Sequence, residues 1–354
     1  MMTGCRQLSP KFFTLSLVSF IGGLSILAGG YIFYYDPLMV SGFINANNLI
    51  VPVIDARFQK TNKLLHYRAD YDVLLIGSSR VEQLRQEDFL PLKVFNYSLP
   101  SIYPYEYVYY IDLFLQKNKK KSPVIFLGFD FYGSNSINHS DVNPPDYYIK
   151  MCTSLFYVPK ILFSNDSFVF ARKMSTGIKD TFAYDRVSLN KINGVISPTL
   201  RKSLSQNQLE TFSSKTYGDY TYNKTYIKML RDIKLRLNGF NIVIFTTPES
   251  NDLFKILVEK GLLNDYERWL TDIVTTFGGV YNFMRPGHLA ADHNNFIDEH
   301  HLVPAKSAPL VRLMCGKMTD LNGEFNDSFV TGKNIVAHLA KIRHDAETLR
   351  NGSQ

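Results

Sequence analysis

Cysteine is scarce in this chain. The three in 354 residues, Cys5, Cys152 and Cys315, stand too far apart for a disulfide scaffold or a thiolate zinc site. A structural metal held by sulfur is thereby excluded. Cationic charge is diffuse as well: 39 Lys and Arg against 32 Asp and Glu leave a formal charge of +7, and no basic run exceeds Lys119-Lys120-Lys121. Nucleic-acid binding leaves a denser footprint than that. Internal repeats and low-complexity tracts are absent, which removes solenoids and biased linkers. Hydrophobic residues at 45%, charged residues at 20%, 15 Pro and 21 Gly argue against a disordered, collagenous or coiled-coil chain. The length allows about two domains, or one large α/β domain with insertions.

One long apolar run is present. From Phe12 to Tyr35 no charge occurs for 24 residues. At about 1.5 Å per residue that is enough for a helix to cross a hydrocarbon core of about 30 Å. A cleaved signal peptide is the competing reading, with Ala28, Gly29 and Gly30 as small residues for a protease. The run is longer than the roughly 7 to 15 residues usual there, and Tyr31 to Tyr35 extend it as an aromatic belt, so an uncleaved anchor is expected. Arg6 and Lys11 precede the run, Asp36 follows it, and the next basic residue is Arg57. The positive-inside rule then puts residues 1–11 in the cytoplasm, the helix over 12–35, and the rest of the chain outside. In that compartment Cys152 and Cys315 are free to be thiols or a disulfide; the sequence leaves both open.

Residues 36–70 read as a membrane-proximal connector, with a polar helical stretch around Ala56 to Arg68 that stands the domain off the bilayer. Beyond it the texture changes. Val73-Leu74-Leu75-Ile76 is a short apolar run ending in Gly77-Ser78-Ser79, as expected of a strand buried on both faces and followed by a turn. Residues 80–89 have helical spacing. Strands are then expected over 94–96, 124–128, 242–245 and 280–283, with helices over 105–117 and 222–237, the latter ending at Asn238-Gly239. Alternation of strands and helices implies βαβ crossovers and a doubly wound parallel sheet, hence an α/β fold. The aromatic, polar stretch 133–216 shows no clear strand and reads as a largely helical insertion, an edge cover or lid. Residues 318–354 read as a tail carrying one amphipathic helix near Ile335 to Leu349.

Parallel sheets collect ligands at the carboxyl ends of their strands, where Ser78 and Ser79 fall. Near the far end of the folded region stands Asp298-Glu299-His300-His301, just before a helix that Pro304 can start. A serine hydroxyl is inert at neutral pH unless an imidazole accepts its proton. The imidazole works better when a carboxylate fixes its tautomer and stabilises the imidazolium. Asp and His three residues apart in one turn supply both groups from a single loop.

An early Ser turn and a late Asp-X-X-His, separated by an α/β succession over residues 71–317, resemble the SGNH (GDSL-type) hydrolase superfamily. The resemblance implies a flavodoxin-like doubly wound parallel sheet, with Ser79 as nucleophile, His301 as general base and Asp298 as its partner. Two inner blocks differ from the family pattern. The block that supplies a backbone N–H from a Gly falls on Asn96-Tyr97-Ser98-Leu99-Pro100-Ser101, which has none. The Gly-X-Asn-Asp block falls on Gly128-Phe129-Asp130-Phe131, where Asp130 stands in place of the oxyanion-binding Asn. The Ser79 N–H then remains for the oxyanion, with Asn96 or Arg80 as assistants and Ser101 and Asp130 as further lining candidates.

Gly-X-Asp-Phe after a strand is similar to a membrane-anchored subgroup tied to cell-envelope polysaccharides and acetyl transfer. The implied activity is that of an extracytoplasmic esterase or O-acyltransferase acting on an acylated envelope glycan, without cofactor or metal, taking its acyl group from an ester or an acyl-donor protein. Tyr103, Tyr105, Tyr107 and Tyr132 are candidates to stack on sugar rings or simply to pack. The alternative is a catalytically degenerate SGNH-like domain serving as a glycan-binding or scaffold protein.

Overall fold

The computed structural model of the chain describes residues 9–137, 142–177, 182–194, 196–317, 325 and 327–351. Cys5 and Arg6, with most of the segment read as a cytoplasmic N-terminus, lie outside the described residues. The strands, in chain order, are β1 (Ile50–Pro52), β2 (Val73–Ile76), β3 (Val94–Asn96), β4 (Val124–Phe129), β5 (Phe182–Asp185), β6 (Lys191–Asn193), β7 (Ile242–Thr246), β8 (Gly279–Tyr281) and β9 (Phe329–Thr331). Six of them form the main sheet in the order β3-β2-β4-β7-β8-β9. The first five run parallel and β9 pairs antiparallel with β8.

Side chains alternate across this sheet. Leu74, Ile76, Ile125, Leu127 and Phe129 enter one core, and Val73, Leu75 and Phe126 enter another. The first is closed by the helices Pro104–Lys117, Tyr226–Arg236 and Leu263–Phe277 through Tyr107, Ile111, Leu230, Ile233 and Trp269. The second is closed by the helix Pro304–Met314 through Leu310, Val311 and Met314. Cover on both faces is why these strands read as unbroken apolar runs. The fold is therefore α/β, built on a mixed, largely parallel sheet.

Two glycines let the first turn after β2 sit close to the sheet. A Cβ on Gly77 would lie 2.4 Å from Val81 Cγ2, and one on Gly128 would lie 2.5 Å from the same methyl and 2.9 Å from Phe245 Cζ. Val81 thus fills the space above two bare backbones, at the root of the Ser79 turn. Gly128→Ala is expected to destabilise the protein by about 1–3 kcal/mol through overpacking. The thermal unfolding midpoint of the detergent-solubilised protein measures it.

Four sequence expectations are corrected. Residues 80–89 are not one helix but two short 3-10 turns, Val81–Gln83 and Gln86–Phe89, because Leu84 and Arg85 between them are extended. The 133–216 region contains strands: β5 and β6 form a hairpin, and β5 pairs with β1 in a second, antiparallel sheet. These strands are too short to show a periodicity, and their partner lies far away in the chain. The helix Ala56–His66 does not stand the domain off the bilayer. Its Gln59, Lys60, Thr61 and Asn62 are fully buried. Each has a specific partner, for example Thr61 Oγ1 with Tyr97 Oη at 2.6 Å and Asn62 Nδ2 donating to the Leu38 carbonyl at 2.8 Å, though the Asn62 Oδ1 accepts from no group among the described residues. The tail adds β9 to the sheet before its helix Ile335–Asn351. Cys152 and Cys315 are free thiols, and burial pushes the Cys152 thiol up to about 12.

The helix Pro10–Tyr35 is long and apolar enough to cross a membrane, and only Gly29 and Ile32 of it are buried. It runs into the domain without a linker. Its capping residue Asp36 has φ of 46° and is 1% exposed. The Asp36 carboxylate accepts from the amides of Val40 and Ser41, from Tyr67 Oη and from Arg186 Nη1 at 2.8 Å. Arg186, fully buried, also donates to the carbonyls of Tyr35, Asp36 and Asn48. One guanidinium therefore ties the end of the apolar helix to the β5–β6 hairpin.

Candidate active site

The site lies where the strand order predicts a crevice, at the carboxyl ends of the parallel strands. From β2 come Ser78, Ser79 and Arg80; from β4, Asp130; from β7, Thr247 and Glu249. Asp298 and His301 arrive on a loop closed by the bridge between Phe296 and Leu302 and by the Ile297 amide donating to the His301 carbonyl at 2.7 Å.

Ser79 Oγ lies 2.8 Å from His301 Nε2, and His301 Nδ1 lies 2.8 Å from Asp298 Oδ2. The other Asp298 oxygen accepts from the amides of His300 and His301, both at 2.9 Å. Burial by itself disfavours an ionised Asp298. The attraction of His301, the hydrogen bond it gives and the amide of His300 outweigh it, and hold the carboxyl well below the usual carboxylate range. A carboxylate only accepts, so Nδ1 carries the imidazole proton and Nε2 is left to take the proton of Ser79. Ser78 is not a rival nucleophile: it is buried, and its Oγ accepts from the Arg80 amide at 3.2 Å. His300 is not a rival base. Burial, then the charges of His301 and Arg80, lower its pKa well below the ordinary histidine value. Its ring packs 4.2 Å from that of His301 and 5.4 Å from Phe212, backing the base as a neutral wall.

The remaining sequence-picked residues divide. Arg80 and Ser101 line the same cleft of about 570 Å³ as Ser79 and His301. Ser101, in the stretch where the family resemblance expects a glycine, has φ of 51°, the left-handed conformation that favours glycine. Asn96 turns away from the cleft. Its amide faces the carbonyls of Val81 and Leu84, and its oxygen accepts from the Ser98 amide. Asp130 faces Arg80 Nη1 at 3.7 Å and accepts from Thr247 Oγ1, so its carboxylate is neutralised rather than set against a developing oxyanion. The Ser79 amide donates to no group among the described residues, which leaves it for that oxyanion. Tyr103 and Tyr132 line the cleft, whereas Tyr107 is a core residue whose hydroxyl donates to the Gly128 carbonyl at 2.6 Å.

Sequence reasoning missed the layer beneath. Arg80 Nη1 also reaches Glu249 Oε2 at 3.3 Å, so one buried guanidinium serves two buried carboxylates. Burial first, then the neighbouring Asp130, push Glu249 up to about 7 against the pull of Arg80. Its position just past an apolar strand, Thr246-Thr247-Pro248-Glu249, is the signal that could have found it. The loop 96–101 is held from the other side. Lys60 Nζ donates to the Ser98 carbonyl and pairs with Glu82 at 2.9 Å, and Arg57 donates to the Pro100 carbonyl and pairs with Glu106 at 3.0 Å.

A pH effect follows from Glu249. A carboxyl that keeps its proton to about 7 in the fold, against an ordinary 4.5, binds more protons folded than unfolded between those values. Its contribution to stability is present below about pH 4.5 and is lost as pH rises to about 7. Glu249→Gln is expected to flatten the decline in thermal midpoint across that window, measured in detergent on both proteins.

A scan against protein-family models and searches of curated proteins and of solved structures find no match to this chain. The geometry of the site carries the functional reading.

Proposed function

We propose that the protein is a membrane-anchored serine esterase or O-acyltransferase of SGNH-like type. The observation that carries this reading is the continuous line from Ser79 Oγ through His301 to Asp298, with both links at 2.8 Å. Ser79 attacks an ester carbonyl as its proton passes to His301 Nε2, and the Asp298 carboxylate steadies the imidazolium. The Ser79 N–H takes the tetrahedral oxyanion. Collapse expels the alcohol, which receives the proton from His301, and leaves an acyl-serine. Water as second acceptor completes hydrolysis; a sugar hydroxyl completes transfer.

Several observations support the finer parts of the reading. The parallel strands β3-β2-β4-β7-β8, counted in chain order among themselves, run 2-1-3-4-5, the flavodoxin-like order, and Ser79 stands where the order reverses. Tyr103, Tyr132 and Phe212 give the cleft aromatic walls of the kind that pack against sugar rings, in keeping with an acylated envelope glycan as substrate. Lys11 at the start of the apolar helix, with no basic residue in its last turn, favours a cytoplasmic N-terminus and an extracytoplasmic domain.

The test is labelling of the purified protein by a fluorophosphonate that reacts with activated serines. Labelling is expected, and is expected to vanish in Ser79→Ala. Absence of labelling on the folded wild-type protein would favour a glycan-binding scaffold instead. Asn96 and Asp130, both turned to structural partners, are the observations on that side.

A further inference from the structure

The apolar helix is too short, below the domain, to hold the domain clear of a bilayer. Residues 9–27 are exposed apart from a half-buried Gly22, and packing against the domain begins at Ala28 and Gly29. From Lys11 to Leu27 the free helix rises about 26 Å, against a hydrocarbon core of about 30 Å. A core that starts at Lys11 therefore ends near Tyr31, and tilt moves that point further along the helix.

At this height the helix is already in contact with the 155–175 region. The Phe163 ring packs on Gly29, where an added Cβ would lie 3.2 Å from Cε1. Tyr31 donates to Ser175 Oγ at 2.6 Å, and its ring lies 5.5 Å from Phe168. The same stretch carries an unusual run of bare apolar side chains: Leu155 is 84% exposed, Phe156 75% and Phe163 62%, with Phe168 and Val169 also exposed. Exposed apolar patches of this kind mark contact surfaces. Three basic residues, Lys160, Arg172 and Lys173, stand exposed among them against the single acid Asp166, a composition suited to lipid phosphates. The helices involved, Tyr157–Leu162 and Asn165–Ser175, are too short to cross a membrane.

Resting on the reading of Pro10–Tyr35 as a membrane anchor, we infer that residues 155–169 form a second, monotopic contact with the bilayer. Leu155, Phe156 and Phe163 enter the outer part of the hydrocarbon on the side where the domain lies, and the neighbouring cations meet the headgroups. The partner is the lipid surface, because the patch is continuous with the face of the spanning helix at Gly29 and Tyr31.

The chain's one tryptophan, Trp269, is fully buried and supplies a constant background. Leu155→Trp and Phe156→Trp replace side chains that are largely bare, so the fold is expected to survive. Each full-length variant is reconstituted in phosphatidylcholine vesicles, plain or brominated in the upper acyl chain. Phe20→Trp, within the free part of the helix, reports the anchor; Leu235→Trp, 74% exposed on the Tyr226–Arg236 helix, reports the aqueous surface. The added emission at positions 155, 156 and 20 is expected to fall by more than half in brominated lipid, and that at 235 to stay. Loss at 20 with full emission at 155 and 156 would overturn the second contact and leave the anchor standing. Full emission at 20 as well would overturn both.

Discussion

Ser79→Ala, His301→Ala and the double variant are expected to lose the same factor in kcat for a chromogenic acetate ester, on the order of 10⁶. Equality is the telling part. A hydroxyl and an imidazole joined at 2.8 Å act as one device, so the second removal has nothing left to take away. Additive losses would mean that the two groups work independently and would sink the proposed mechanism. Asp298→Asn is expected to fall short of this, at about 10⁴. An amide N–H₂ facing Nδ1 favours the tautomer with its proton on Nε2, so the base is present but wrongly protonated. The fold of that variant should be kept, since an Asn oxygen can still accept from the amides of His300 and His301.

Arg186→Leu should be the most damaging single change to stability, at about 3–5 kcal/mol, because it leaves the Asp36 carboxylate buried without its cation. Both side chains are completely buried. The guanidinium makes five hydrogen bonds: three to carbonyls, one to Asp36 and one to Tyr67. All five partners lose a donor at once. The double variant Asp36→Asn, Arg186→Leu is expected to recover part of the loss, as removal of a pair costs less than removal of one partner. Thermal unfolding in detergent measures both. A double variant that is worse by the sum of the two singles would show that the carboxylate contributes through its amide contacts alone.

The sheet was readable because burial on both faces writes itself as runs such as Val73-Leu74-Leu75-Ile76 and Ile242-Val243-Ile244-Phe245. Ser79, Asp298 and His301 were readable for a related reason: each sits in a short local pattern at a strand end or in one turn. What escaped was made by polar groups meeting over long distances. The Ala56–His66 helix looks like a solvated spacer because its Gln59, Lys60 and Asn62 are hydrophilic. Their burial depends on acceptors contributed by Pro37, Pro52, Leu38, Ser98 and Glu82, which no periodicity links. Glu82 shows the same logic. Burial would raise it, yet Lys60 and Lys191 with the Tyr184 hydroxyl bring it down to about 2. Asn96 shows the limit in the other direction: a residue of plausible chemistry near the nucleophile, at the end of β3, spends its side chain on backbone carbonyls.

On the proposed reading of Pro10–Tyr35 as a membrane anchor, the Asp36–Arg186 joint also governs how the domain meets a substrate. A domain fused to its helix by a closed, fully desolvated cap has no tether on which to swing or reach outward. Its orientation relative to the helix axis is inherited from the fold, and on that reading its encounters are confined to sliding and spinning in the plane of the lipid. Flexible residues inserted between Tyr35 and Asp36 would therefore not lengthen its arm; they would dismantle the hinge-free mount on which its aim depends.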